Sequence, residues 1–268
     1  MNSTINAFSV TDAFQRAYEE VTRWGEVVDS RIGKTLHLTD VTIVVHFPES
    51  NVCLDKTRNL SLRYLLAEIH WYLSGSNKVA GIAPYAKMWN DLTDDGETVN
   101  SAYGYRIFHK FGFDQLQFVI DKLKKNPYDR QAVIHIKEAS DQPTKDTPCT
   151  CLLQFICFKG KLNLHTYMRS NDIWLGLPYD MGFFTTLLQI VAEATGLPVG
   201  VYHHTVGDLH LYERHWGKPV GVSRTEDLPF MESWRYTEED FTTVVEKGEC
   251  PENSLLKALW RMNNGVQD

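Results

Sequence analysis

Two runs, Cys151 to Phe158 and Lys161 to Met168, read as strands joined at Lys159-Gly160, a pair that suits a tight two-residue hairpin. The first run is apolar on both faces apart from Gln154. A strand of that kind needs cover on both sides: helices on one face and, as one solution, a partner subunit on the other. That requirement restricts the chain to a layered fold built around a buried sheet.

The rest of the chain supplies the layers. Thr11 to Gly25 has Phe14, Ala17 and Val21 at helical spacing, and Leu62 to Gly75 carries a stripe of Leu62, Leu65, Leu66, Ile69, Tyr72 and Leu73 with Gly75 placed to cap it. Phe113 to Lys125 reads as a third helix, closed by Asn126-Pro127. Met181 to Thr195 reads as a strongly apolar fourth, stopped by Gly196 and Pro198. Val41 to Phe47, Ala132 to Ile136 and Val199 to Val206 add strands. The order shows no regular βαβ alternation, which predicts α+β, a large mixed β-sheet with helices on one face. No repeat or linker breaks the 268 residues, so one domain spanning 1–268 is expected.

The formal charge of −7 argues against binding a nucleic-acid polymer by bulk attraction. An anionic ligand would need a local Arg cluster. No stretch of 18 apolar residues predicts a membrane span, and Met1 to Ser9 lacks the pattern of a signal peptide. Five cysteines without a secretion signal suggest reduced thiols and a cytoplasmic location.

Several residues could carry chemistry, and each has a plainer reading beside it. Glu68 lies against the apolar stripe of its helix, where burial would raise its pKa towards neutrality; it could equally be a helix-flank carboxylate paired with a surface cation. Cys149 follows Pro148 at a strand entrance, where a thiol can face a cleft and a nearby Arg can favour the thiolate; a small buried hydrophobe is the alternative. Cys149 and Cys151 would share a strand face, and with Cys157 and His165 they do not make a zinc pattern. His203, His204, His210 and His215 could form a metal site but more ordinarily bond to polar groups. Arg31, Arg130, Arg169 and Ser170 suit an oxyanion, with Arg169-Ser170 just past a strand end and Arg forks matching phosphate oxygens. No dinucleotide, P-loop or zincin motif occurs.

In combination these residues resemble the thymidylate synthase family from about Ser30 to His215. The blocks are Pro148-Cys149, Gln154-Phe155, Arg169-Ser170-Asn171-Asp172, Leu175-Gly176-Leu177-Pro178 and Gly207-Asp208-Leu209-His210-Leu211-Tyr212, in family order. The resemblance implies an obligate homodimer packed sheet to sheet, with 5,10-methylenetetrahydrofolate as cosubstrate. It implies Cys149 as the nucleophile at C6 of a pyrimidine nucleotide, Glu68 as the carboxylate organising water and proton transfers, and Tyr103 as a neighbour of the nucleophile. Arg31, Arg169 and Ser170 would hold phosphate within one subunit, Arg130 would reach across the dimer, and Gln154 joins the substrate set. His210 and Tyr212 would bind the sugar 3′-hydroxyl. Trp89, Asp172, Gly176 and Tyr179 would form the folate side.

Four departures refine that expectation. Asp180 stands where the family's synthases carry an Asn that reads the uracil edge. Cytosine presents an amino donor at N4 and an acceptor at N3, so an acid there favours dCMP over dUMP. A mismatched buried pair costs about 1–3 kcal/mol, or roughly ten- to hundredfold in preference. The plainer reading is that Asp180 only N-caps a helix starting at Met181. Thr150 replaces the usual His after the nucleophile, as in the phage deoxycytidylate hydroxymethylase branch. The end, Gly265-Val266-Gln267-Asp268, lacks the short apolar tail that excludes water, which suits capture of a methylene intermediate by water and a hydroxymethyl product. Arg130-Gln131 replaces a usual Arg pair. The expectation is C5 hydroxymethylation of dCMP, in the host cytoplasm if the source is viral. Rivals are a dCMP methyltransferase, an enzyme acting on dUMP, and a non-catalytic nucleotide-binding relative.

Overall fold

The computed structural model describes residues 3–30, 32–221 and 232–266. Among them, in chain order, run β1 (Ser3–Ala7), α1 (Val10–Trp24), β2 (Glu26–Ser30), β3 (Gly33–Val45), α2 (Leu62–Leu73), α3 (Tyr103–Phe108), α4 (Gln115–Lys125), β4 (Val133–His135), β5 (Thr150–Phe158), β6 (Lys161–Met168), β7 (Asn171–Asp172), α5 (Leu177–Thr195), β8 (Val199–Tyr212), α6 (Glu238–Phe241) and α7 (Ser254–Asn264). The fold is α+β with a mixed sheet in the order β1-β3-β8-β6-β5-β4, to which β2 adds on β3 and β7 on β8.

The hairpin forms as its residues dictate. Lys159 and Gly160 both take positive φ, 51° and 75°, the twist that joins adjacent antiparallel strands without splaying them. Its partners run Leu153↔Thr166, Gln154↔His165 and Phe155↔Leu164. Leu153, Phe155, Leu162 and Leu164 are fully buried on the helix-covered face. Leu152, Gln154 and Ile156 point the other way and are half-buried, which leaves that face of the sheet open in the single chain. Alternation fails at the start of β5, where a bulge between Thr150 and Leu152 inserts Cys151. Cys149 itself precedes β5, so the regular alternation on which a shared strand face with Cys151 was expected does not extend to it.

Helix α5 runs through the core, with Met181, Phe184, Leu187 and Leu188 wholly buried. A helix apolar all round has no face to offer water and must be enclosed. It begins at Leu177 with Pro178 in its first turn and Gly176 as N-cap, four residues before the expected start at Met181. Asp180 thus lies inside the helix, and the N-cap reading fails. Strands β3 and β8 are longer than expected. In β8 the polar residues His203, His204, Thr205, Asp208 and His210 interrupt the apolar pattern on which boundaries are judged.

One buried ion pair organises the approach to Cys149. Arg106, on α3, pairs with Asp141, and both side chains are essentially without solvent contact. Arg106 also donates to the carbonyls of Asn100 and Ile136, at 2.6 and 2.7 Å. The side-chain amide of Asn100 donates in turn to Asp141 Oδ1 and to the carbonyl of Asp146, which stands three residues before Cys149. Satisfying the guanidinium this fully is what makes its burial tolerable.

Candidate active site

Cys149 sits where two strand ends meet. The backbone N–H of Arg169, just past β6, donates to the Cys149 carbonyl at 2.8 Å. The Arg169 guanidinium donates to the carbonyls of Pro148 and Thr147, at 3.1 and 2.8 Å, and stands 3.5 Å from Cys149 Sγ. Burial raises the Cys149 pKa to about 11; Arg169 opposes the shift, and the negative fields of Asp180 and Asp146 add to it. The resting group is a thiol beside a cation, so its attack on carbon has to be coupled to proton loss.

Glu68 enters the same space from α2. It is 7% exposed, and burial lifts its pKa to about 7 against the opposing hydrogen bonds of Tyr64 and Tyr72. The Tyr64 hydroxyl donates to Glu68 Oε1 at 2.6 Å and accepts from Trp89 Nε1 at 3.0 Å. A carboxyl that titrates near neutrality can both give and take a proton. Tyr103, expected near the nucleophile, stacks on Tyr72 with ring centres 5.2 Å apart; burial first, and then the charges of Asp180 and Cys149, raise its pKa well above the ordinary value.

Asp180 faces these groups from the first turn of α5. Asn171 Nδ2 donates to its Oδ2 at 2.7 Å. Shielding from water and the nearby Glu68 carboxyl hold its pKa well above the usual carboxylate range, despite that bond. That shift favours the protonated acid, which has one donor and acceptor capacity. Behind Asn171 the bonds continue: its Oδ1 is 3.0 Å from His204 Nε2, and His204 Nδ1 is 2.7 Å from the Tyr202 hydroxyl.

The expected phosphate and sugar ligands occupy the rim. Arg169 is exposed, and Ser170 Oγ lies 3.4 Å from His210 Nδ1. Burial lowers the His210 pKa, but Asp208 and Asp172 outweigh it and leave the imidazole above its ordinary value. Tyr212 packs edge-on against His210, with centroids 5.3 Å apart. Arg130 and Gln154 are elsewhere: Gln154 Nε2 donates to the Arg130 carbonyl at 3.2 Å on the open face of the sheet, away from Cys149 of the same chain. Gln131, in place of a second Arg, accepts from Lys122 at 2.8 Å. Arg31 lies outside the described residues.

On the far side, Trp89 packs against Trp71, and Tyr179 packs edge-on against Tyr64 with centroids 4.7 Å apart. Tyr179 Oη accepts from the Ser61 N–H, and Arg58 lies over the Tyr179 ring. Asp172 Oδ1 accepts the Trp174 and Leu175 N–H groups at 2.8 and 3.0 Å. A Cβ on Gly176 would come within 3.0 Å of Asn171 Nδ2 and 3.2 Å of Asp180 Oδ2, so only glycine leaves that contact undisturbed.

The thymidylate synthase family model matches residues 12–231. The chain belongs to that family. It is thus an enzyme family acting on a pyrimidine nucleotide, transferring a one-carbon unit to C5. In this thymidylate synthase relative, Cys149, Arg169, Glu68, Tyr103 and Asp180 lie close enough to feel one another's charge.

The four histidines expected near one another do not gather. His203 stacks on His165 at 4.1 Å on the open face, His204 is buried on the other face, His210 stands by Ser170, and His215 stacks on Trp174. Among the described residues, no group of three or more His, Cys, Asp or Glu side chains is placed to hold a metal ion. No described helix is long and apolar enough to cross a membrane. Sequence reasoning missed Tyr64, Asp146 and the Asn171–His204–Tyr202 chain. The i, i+4 spacing of Tyr64 and Glu68 could have revealed the first; the chain joins β7 to β8 across 33 residues of sequence and leaves no local signal.

Proposed function

We propose that this chain hydroxymethylates C5 of dCMP. The supporting observation is Asp180: a buried carboxyl whose raised pKa favours the protonated form, at the position where the family's synthases carry an amide. Its O–H can donate to the unprotonated N3 of cytosine while its carbonyl-type oxygen accepts from N4–H. Donation to N3 also draws electrons from C6, where Cys149 adds. The thiol proton must leave as the S–C6 bond forms, and Arg169 is placed to stabilise the developing thiolate. Glu68, titrating near pH 7, can then take the proton lost from C5.

Methylenetetrahydrofolate would supply the one-carbon unit. The far wall fits it. Trp89 and Tyr179 offer aromatic surface around Tyr64, and a carboxylate at Asp172 can accept from a pterin N–H. In the proposed sequence C5 of the Cys149 adduct bonds to the methylene carbon, the C5 proton passes to Glu68, and cleavage of the methylene–nitrogen bond releases tetrahydrofolate and leaves an exocyclic methylene on C5. Water adds to that carbon and Cys149 is expelled from C6, which restores the ring: dCMP, methylenetetrahydrofolate and water become hydroxymethyl-dCMP and tetrahydrofolate.

The proposed assembly is a homodimer built on the open sheet face. Half-buried Leu152 and Ile156 and the placing of the Arg130 backbone beside Gln154, away from Cys149 of the same chain, support it. The deciding experiment incubates the protein with methylenetetrahydrofolate and dCMP, dUMP or CMP and weighs the products. Hydroxymethyl-dCMP with tetrahydrofolate is expected. Methyl-dCMP with dihydrofolate would indicate the methyltransferase instead, and turnover of dUMP alone would remove the cytosine reading. A reversible covalent adduct with a 5-fluoropyrimidine nucleotide and folate would exclude a non-catalytic relative.

A further inference from the structure

The chain of bonds that ends on Asp180 lies beneath the site and touches no reacting atom. Tyr202 and His204 are wholly buried on β8, at 0% exposure, and Asn171 is nearly so at 4%. Their neighbours on that face of β8 include Val206, Leu209 and Leu211, all without solvent contact. A polar set in such surroundings is costly unless every member is paired, and apolar side chains could fill the same space.

The pairing has a direction. Burial lowers the His204 pKa to about 3, so the imidazole is neutral and carries one N–H. Asn171 turns its oxygen to His204 and its nitrogen to Asp180. Nε2–H of His204 therefore donates to Asn171, and Nδ1 accepts from the Tyr202 hydroxyl. Every donor in the series points towards Asp180, and the last one arrives at Oδ2.

We propose that Asn171, His204 and Tyr202 are positioning residues that determine base specificity, by holding Asp180 Oδ2 as an acceptor so that the acid proton rides on the other oxygen. This rests on the reading that Asp180 meets the base. With Oδ2 fixed in that role, the acid offers one O–H and one acceptor in the order cytosine needs. Uracil needs the reverse order. Supplying it would put the proton on Oδ2, where it weakens the Asn171 bond, or turn the Asn171 amide over and reverse the series.

The test measures kcat/KM for dCMP and dUMP, with methylenetetrahydrofolate, in the full chain and in the Tyr202→Phe and Asn171→Leu variants. The dCMP/dUMP ratio is expected to fall by about fivefold in the first and about tenfold or more in the second, with the loss falling on dCMP. A merely structural role would lower both nucleotides together, and an unchanged ratio in the folded variants overturns the proposal. Tyr202→Phe removes a single oxygen, so it decides the matter if Asn171→Leu does not fold. Where turnover is too slow, the same ratio is taken from calorimetric affinities. Asp180→Asn is run beside them. If its ratio is also unchanged, the reading of Asp180 has failed; if only its ratio moves, the positioning series alone has failed.

Discussion

The floor of the site and its rim are built on opposite plans. The floor, from Asp180 through Asn171 and His204 to Tyr202, is enclosed, uncharged in its inner members, and joined bond to bond within one chain. The rim is cationic and open: Arg169 is exposed, and Arg130 stands on another face. A neutral base edge is read by donor and acceptor order, which needs fixed atoms and dry surroundings. A phosphate is held by charge, which tolerates water and can be completed by a second subunit. Under the proposed function, base choice would then be set by the folded chain, and the hold on phosphate by the periphery.

Substitutions can break or sharpen this contrast. The largest effect is expected at the junction of the two regions. Cys149→Ser should lower turnover by about 10³-fold or more for either nucleotide and abolish the 5-fluoropyrimidine adduct seen by denaturing electrophoresis and mass. Next, Glu68→Gln should cost about 10²-fold or more in kcat while stabilising the protein in alkali. The folded pKa of Glu68, about 7, lies above its ordinary value of 4.5, so the folded state holds the proton more tightly. Stability is then lost as pH rises between those values, by about 3 kcal/mol in all. Urea unfolding at pH 8 and pH 5 checks this: the variant should gain at pH 8 and little at pH 5.

Asp180→Asn, a floor change, should move the dCMP/dUMP ratio of kcat/KM towards dUMP by about ten- to hundredfold. Arg169→Lys, a rim change, should raise KM for both nucleotides by about tenfold or less and leave the ratio alone. If Arg169→Lys altered base preference, or Asp180→Asn weakened both nucleotides equally, the division of labour would not hold.

Much of this was legible in the sequence, for identifiable reasons. The hairpin at Lys159-Gly160, the stripe of α2 and the apolar run of α5 each carry a local pattern, and each forms. The first turn of α5 was missed because Gly176 and Pro178 look like loop residues until they are seen as N-cap and first turn. Strands β1 and β2 and helix α3 have no periodicity strong enough to separate from loop, whereas α7 carries a legible stripe of Leu255, Leu256 and Leu259 that the sequence reading passes over. Cys149, Glu68, Arg169 and Asp180 were found through motif spacing. Tyr64 was not, although its partner Glu68 is one turn along the same helix, and His204 was named only as a histidine bonding to polar groups, because its link to Asp180 runs through Asn171 on another element. Gln154 shows the converse: the motif names it, but strand alternation turns it to the open face.

The Arg106–Asp141 pair under the approach to Cys149 also constrains how such a chain can vary. Either residue lost alone strands the other as a lone charge in a dry interior, at about 3–5 kcal/mol. That is a large share of the 5–15 kcal/mol that typically separates folded from unfolded domains. Drift at these two positions is therefore expected to be concerted: tolerated histories exchange both members for an apolar couple, and one-step intermediates are lost through instability whatever becomes of Cys149.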